Sequence, residues 1–267
     1  MRKAFWDRER KLLVFWSPKC ACTAVSWWFA HGLVGVERPT GGPRKWLQMN
    51  GYTLSASKAA TVAKKHDVHI IAIVRHPFDR LVSCYLNKFV NYNGRPLHSF
   101  STLEVFAKQF YLQSMTIERG YTGLSFRNFL QGIITMRGSD EDQLNIHFNV
   151  QYARELREQG IKPHRIIRVE ALNEELTALN AELGIDYIPE IHNSTSYAPT
   201  SAEVAVGALS TELAALPAAP HKRAFMTLET IALAHEAHAP DYEAFGYPML
   251  PGWAARPTPP KARSSAA

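Results

Sequence analysis

Apolar residues along this chain come in short blocks separated by turn residues, and two spacings recur. Leu12–Trp16 is a continuous apolar run rich in strand formers, cut off by Ser17-Pro18. Thr23–His31 follows with helical spacing and predicts a helix closed by Gly32. Residues 35–51 mix Gly, Pro and basic side chains and predict a loop, and Ser55–Lys65 predicts a helix. His69–Arg75 is a second near-continuous apolar run, the pattern of a strand covered on both faces. Pro77 then opens a helix to Val90, with Leu81, Val82, Tyr85, Leu86 and Phe89 on one stripe. Leu103–Phe110, Phe126–Thr135 and Val150–Gln159 predict further helices, and Arg165–Glu170 a third strand. That strand leads into a helix through Leu183, ended by Gly184. Thr200 and Glu203 offer a capping box for a helix to Leu216, and Phe225–His238 predicts another. Strands alternating with helices predict an α/β fold with a central, mainly parallel sheet flanked by helices. A single domain is expected over residues 1–250, with a disordered tail over 251–267, where Pro, Ala and Ser dominate.

Residues 12–36 are apolar enough to allow a second parse, a signal peptide or membrane anchor. Pro18 and Lys19 inside the run, with Asp7 and Glu9 upstream, favour strand, turn and helix instead. No other segment approaches spanning length, so the expectation is a soluble, cytoplasmic chain. At 46% hydrophobic and 20% charged over 267 residues, a disordered or fibrous protein is excluded, and three Cys exclude a disulfide scaffold. Thirty Lys+Arg against 24 Asp+Glu leave a net charge of +6, which favours an anionic ligand without naming one. Neither a nucleic-acid motif nor a dense basic patch is present, so no nucleic-acid partner is expected.

In an open parallel sheet, ligands sit beyond the carboxyl ends of the strands. Two strand–turn–helix units put chemistry there. The first turn, Ser17-Pro18-Lys19-Cys20-Ala21-Cys22-Thr23, has small residues whose backbone N–H groups can approach an anion at a helix start. Lys19 adds a full charge and Thr23 a hydroxyl, the chemistry of a phosphate cradle, although the Walker pattern GxxxxGK[ST] is absent. In the second, Arg75 stands at a strand end, and Arg80 and Ser83 share one side of the following helix. An Arg fork with a hydroxyl can clamp a second phosphate. The plainer account makes Arg75 a carbonyl cap, pairs Arg80 with Asp79 or Glu104, and leaves Ser83 as helix filler. Cys20 and Cys22 lack zinc-ligand spacing, and no metal site is expected.

Together, PKCACTA (18–24) and VRHPFDRLVSCYLNKF (74–89) resemble the sulfotransferases that use 3′-phosphoadenosine 5′-phosphosulfate (PAPS). The resemblance is closest to the carbohydrate group that includes the HNK-1 and chondroitin enzymes (sulfotransferase family 2). Looser echoes follow in order: LSFRNFLQGI, HFNVQ, IIRVEAL, HNSTSY and DYEAFGY. His76 departs from the pattern, standing where many members carry Asp. Eukaryotic members typically have a membrane anchor and luminal disulfides, so the resemblance implies a bacterial-type, soluble relative with a P-loop-like fold.

The resemblance implies transfer of a sulfuryl group from PAPS to a hydroxyl on a carbohydrate, glycolipid or other acceptor, with PAP as product and no metal. Lys19 would contact the 5′-phosphosulfate. The backbone N–H groups of Cys20, Ala21, Cys22, Thr23 and Ala24, with the Thr23 hydroxyl, would hold the 5′-phosphate. Arg75 and Ser83 would bind the 3′-phosphate. His147, in the His-aromatic-x-x-Gln pattern, is the candidate general base, with Glu118 as a carboxylate alternative. His31 and His69 read as structural, and His235 with His238 as a solvated helix face. Trp46 is a candidate stacking residue or a core residue, and Arg38, Arg44 and Lys45 lie in the loop between the motifs. The Asn193–Ser196 stretch would order a loop near the nucleotide. Two other readings remain open, a P-loop-type ATP-dependent kinase and a non-catalytic binder of acidic polysaccharide. Neither acceptor identity nor oligomeric state follows from the sequence.

Overall fold

The computed structural model describes residues 3–92, 95–96, 123–139, 144–190, 197–198 and 202–254. The expected helix at Leu103–Phe110, Glu118, the Asn193–Ser196 stretch and Thr200 lie outside the described residues.

A five-stranded sheet forms the centre. Its strands are β1 (Lys3–Asp7), β2 (Leu12–Trp16), β3 (Thr53–Ser55), β4 (His69–Val74) and β5 (Arg165–Arg168), in the order β3-β1-β2-β4-β5. β2, β4 and β5 run parallel, while β1 is antiparallel to both β2 and β3. The sheet is therefore mixed at one edge and parallel where the two motifs leave it. Every residue of β2 is buried, as a central strand covered on both faces requires. Register pairs Trp16 with Ile73 and Val74 with Arg168, so the carboxyl ends of β2, β4 and β5 lie side by side.

Helices α1 (Cys22–Trp27) and α6 (Leu172–Leu183) cover one face, where Val25, Trp28, Leu176 and Leu179 pack on Val14, Ile71 and Ile73. Helix α3 (Ala56–Lys65) covers the other with Ala56, Ala59 and Ala60. A second core, rich in Phe, joins α4 (Pro77–Tyr85), α5 (Phe126–Ser139) and α7 (Leu228–Phe245).

Several expected boundaries shift, each for a local reason. The helix from α1 continues as a π segment, Trp28–Leu33, with Gly32 inside it. A Cβ on Gly32 would lie 3.1 Å from Ile185 Cγ2, so this glycine permits close packing and does not end the helix. The expected loop at 35–51 contains α2 (Pro43–Met49), started by Pro43 in its first turn and anchored by buried Leu47. The helix expected at 77–90 turns into a π segment at Leu86–Val90. Within the expected helix at 150–159 only Arg154–Arg157 is helical, because the Asp241 carboxylate captures the N–H groups of Gln151 and Tyr152. The expected helix ending at Leu216 is split into Ala202–Gly207 and Ser210–Ala214, with Ser210 N donating to Leu124 O. α7 starts at a Thr227 cap and runs past Pro240 through a kink at His238 (φ −131°, ψ 26°). Gly184 ends α6 in the left-handed conformation (φ 67°), as its position predicts.

Beyond α7, Trp253 Nε1 donates to Asp79 at 3.0 Å, and Lys222 Nζ (4.6 Å) and the Arg223 guanidinium (5.2 Å) both lie over its ring. Residues 255–267 lie outside the described residues.

Candidate active site

The loop after β2 holds a backbone arrangement that ordinary side chains avoid. Lys19 (φ 69°) and Ala21 (φ 49°) are both left-handed without being glycine, at a cost of about 1–2 kcal/mol each. Cys20 N donates to Ser17 O (3.1 Å) and Val25 N to Ala21 O (3.0 Å), which closes the turn onto α1. Backbone N–H groups in such alternating conformations converge into an anion-binding concavity. The N–H groups of the first helical turn, from Cys22 to Ala24, stand next in line. Thr23 and Lys19 are partly exposed at this turn.

The loop after β4 docks onto the first. Arg75 Nη1 donates to Lys19 O at 3.2 Å. Arg80, fully buried, donates Nε to Pro18 O (3.0 Å), Nη1 to Asn149 O (2.8 Å) and Nη2 to Ile146 O (3.2 Å). Its guanidinium is thus spent on three carbonyls. Neither the phosphate clamp nor the acidic pairing weighed for Arg80 describes it. Ser83, one turn further on α4, is half-buried, and its hydroxyl has no hydrogen-bond partner among the described residues.

The third component is the segment 144–152. His147 Nδ1 lies 2.7 Å from Asn145 Oδ1, and the His147 carbonyl accepts from Cys84 Sγ at 2.7 Å. Burial, then the charges of Lys88, Arg80, Lys19 and Arg44, hold the imidazole down to about 3, so it is neutral at ordinary pH. Burial and nearby Arg75 lower Lys19, and burial and Lys19 lower Lys88. Arg44, on α2, places its guanidinium 5.3 Å from the Trp16 ring and donates to Cys22 Sγ at 3.1 Å. Lys19, Arg44 and Arg75 have no carboxylate partner among the described residues. Cations crowded this way destabilise one another, and a bound anion would relieve the repulsion.

A buried framework holds these three pieces in place. Gln151, fully buried, accepts from Arg75 N (2.8 Å) and Cys20 Sγ (2.9 Å) through Oε1, and donates Nε2 to Arg75 O (2.8 Å). Its own backbone N–H donates to Asp241, which also accepts from Tyr152 N and faces His238 Nδ1 at 3.0 Å. Burial alone would raise Asp241. The His238 contact, the Arg80 charge and the Gln151 amide outweigh it and hold the carboxyl at about 2. Burial pushes the Cys20 thiol up to about 12, so Cys20 is a structural donor. His76, where the resemblance expects Asp, contacts the Pro248 carbonyl through Nε2 (2.9 Å), while its backbone N–H donates to Glu170 (2.7 Å).

The other sequence candidates fall elsewhere. Trp46 stacks on Tyr52 (5.8 Å) and packs at the edge of the core. His69 stacks on His164 (5.2 Å) at the opposite end of β4, and His31 packs on Tyr187 (4.3 Å). His238 is fully buried, not on a solvated face as expected, because it partners Asp241. Sequence reasoning did not single out Lys88, Asn145, Gln151 or Asp241. Lys88, Gln151 and Asp241 lie within the quoted stretches YLNKF, HFNVQ and DYEAFGY, but only tertiary packing brings them to the site. Among the described residues, no group of three or more His, Cys, Asp or Glu could hold a metal ion. Likewise, no helix there is long and apolar enough to cross a membrane.

Comparison with curated proteins and with solved structures returned no match. A family model described as "Sulfotransferase family" matches residues 2–248, which takes in the β2 and β4 loops, the His147 segment and the α7 framework. The chain belongs to the sulfotransferase family.

Proposed function

We propose that this protein transfers a sulfuryl group from PAPS to a hydroxyl of a carbohydrate or glycolipid acceptor. The observation that carries the reading is the meeting of Lys19 and Arg75, just past the ends of adjacent parallel strands, with Arg44 of α2 beside the first loop, none paired with a carboxylate among the described residues. A donor bearing a 5′-phosphosulfate and a 3′-phosphate matches that excess of positive charge. The N–H groups of the Lys19–Ala21 turn and the first turn of α1, with the Thr23 hydroxyl, suit the 5′-phosphate. Arg75 and Ser83 suit the 3′-phosphate, and the Arg75 contact to Lys19 O ties the two ends of the donor site together.

Catalysis in this reading is positioning and charge stabilisation, as in phosphoryl transfer. Lys19 neutralises the negative charge that grows on the bridging oxygen. His147, neutral before reaction, takes the proton of the acceptor hydroxyl. Protein cations supply the charge stabilisation. Cys20, Cys22 and Cys84 act as thiols, which suits a reducing compartment such as the cytoplasm.

The test is transfer from radiolabelled PAPS across a panel of glycans and glycolipids, with mass spectrometry of the product. Thermal shift with PAP, ATP–Mg²⁺ and heparin runs beside it. Selective stabilisation by PAP with a product 80 Da heavier supports the proposal. Preference for ATP–Mg²⁺ would replace it with a kinase, and stabilisation by heparin alone with a polysaccharide binder.

A further inference from the structure

His147 is held at two points by one neighbour. Asn145 Oδ1 lies 3.0 Å from the His147 backbone nitrogen and 2.7 Å from His147 Nδ1. A backbone N–H can only donate, so the carboxamide atom facing it is the oxygen and not the amino group. The same oxygen faces Nδ1. Since an amide oxygen only accepts, Nδ1 carries the hydrogen. A neutral imidazole has one N–H, so Nε2 keeps its lone pair.

We infer that Asn145 is a positioning residue that locks His147 in the Nδ1–H tautomer and so makes Nε2 the atom that takes the acceptor proton. The inference rests on the proposal that His147 is the general base. The backbone around the pair is fixed as well: Phe148 N and Asn149 N both donate to Asn145 O (2.8 and 3.0 Å), and Cys84 Sγ donates to His147 O. The contact to the His147 backbone N–H alone would be an ordinary Asx turn. The contact to Nδ1 adds a role that a turn does not need.

In the reaction, the acceptor O–H bond breaks and its proton passes to Nε2. The acceptor oxygen forms a bond to sulfur while the bond from sulfur to the bridging oxygen breaks. The electron pair leaves on the phosphate oxygen of PAP, beside Lys19. The imidazolium that results still donates Nδ1–H to Asn145 Oδ1 and then loses its Nε2 proton to solvent. Four cations face this ring and oppose its protonation: Lys88 on the π segment after α4, Arg80 on α4, Lys19 in the first loop and Arg44 on α2. The base is therefore weak until the donor's negative charge compensates them.

The experiment combines nitrogen-15 NMR of the imidazole with steady-state kinetics of wild type, Asn145→Ala, Asn145→Asp and His147→Ala. In the wild type, the His147 signals should report a protonated Nδ1 and a bare Nε2; the opposite tautomer overturns the inference without any variant. Asn145→Ala should lower kcat about ten- to a hundredfold with KM for PAPS within about twofold. Asn145→Asp keeps the acceptor oxygen and should restore most of kcat. Its carboxylate favours the imidazolium, so the acid limb of the pH–rate profile should move to higher pH. Full activity of Asn145→Ala, or no rescue by Asn145→Asp with a matching loss of thermal stability, leaves Asn145 as a turn residue only. Full activity of His147→Ala removes the base itself, a separate failure.

Discussion

Gln151 pairs with the backbone of Arg75 as one strand residue pairs with another, Oε1 to N and Nε2 to O, both at 2.8 Å. The same Oε1 accepts from Cys20 in the neighbouring loop. One side chain from a third segment therefore sets the distance between the two candidate phosphate contacts. Gln151→Ala leaves buried groups of Arg75 and Cys20 unpartnered and should cost about 2–4 kcal/mol in urea unfolding. It should also raise the Kd for PAP by calorimetry. Unchanged PAP affinity would mean the two loops hold their spacing without it.

Lys19 and Arg75 should separate kinetically. Lys19→Ala removes charge that matters most as the bridging oxygen gains electrons, and should lower kcat about 10²–10³-fold at saturating PAPS. Arg75→Ala should act mainly by raising the apparent KM for PAPS. Near-normal turnover in the first, or an unchanged KM in the second, would remove that residue from its role.

Arg80 should behave as a structural residue despite its place in the second motif. Three carbonyls, from Pro18, Ile146 and Asn149, share its guanidinium. Lysine has one ammonium and cannot reach all three, so Arg80→Lys should destabilise the protein by about 2–4 kcal/mol. Denaturant unfolding would detect this, and a wild-type midpoint would contradict it.

Acid should destabilise this protein through groups that burial and neighbouring charges hold below their ordinary values, with His147 and Asp241 among them and His69, His76, His221 and His238 lowered in the same direction as His147. His147 sits at about 3 in the folded chain against 6.5 in the unfolded one, and Asp241 at about 2 against 3.8. In both cases the unfolded chain takes up its proton first as pH falls. The His147 contribution is therefore complete above about 6.5 and is lost toward 3, and the Asp241 contribution is lost between 3.8 and 2. Stability measured from pH 7 downward should fall in that order, with the first decline smaller, though not absent, in His147→Ala, since the other lowered histidines act in the same range. Binding of PAP should raise the His147 value, since phosphate charge offsets Lys88, Arg80, Lys19 and Arg44. Carbon-detected histidine titration with and without PAP reads this directly.

Trp253 should matter to a helix that it does not belong to. It shares the buried Asp79 carboxylate with Lys222, whose Nζ lies 2.7 Å away. Trp253→Ala should destabilise by about 1–3 kcal/mol through the lost partner. Equal unfolding midpoints would show the contact to be incidental.

The strands that carry the two loops were legible because buried parallel strands read as unbroken apolar runs, as Leu12–Trp16 and His69–Val74 do. β1 was not, because Lys3 and Asp7 bracket only three other residues and its pairing with β2 is a tertiary choice. Lys19, Arg75 and His147 could be named as candidates by chemistry and by resemblance, and packing brings Arg75 onto the Lys19 carbonyl. Arg80 could not be told from a ligand arginine, since its three partners are carbonyls of residues far along the chain. The His238–Asp241 pair was hidden for a related reason: the expected helix stopped at His238, which was read with His235 as a solvated face, whereas α7 continues past Pro240 to Phe245 and brings Asp241 onto His238. The pattern of a sequence marks which groups are available, whereas burial decides which of them are spent on the scaffold.

The left-handed backbone at Lys19 and Ala21 has a bearing on redesign. Neither residue would choose that conformation in a free peptide, so the loop's shape is imposed by what surrounds it: Arg75 on Lys19 O, Arg80 on Pro18 O and Gln151 on Cys20. Residues 17–24 moved alone onto another strand–helix junction would relax into an ordinary turn and lose the concavity. A transplant that keeps its geometry must carry four stretches of chain, from β2, β4, the His147 segment and α7, so this loop is not a portable cassette.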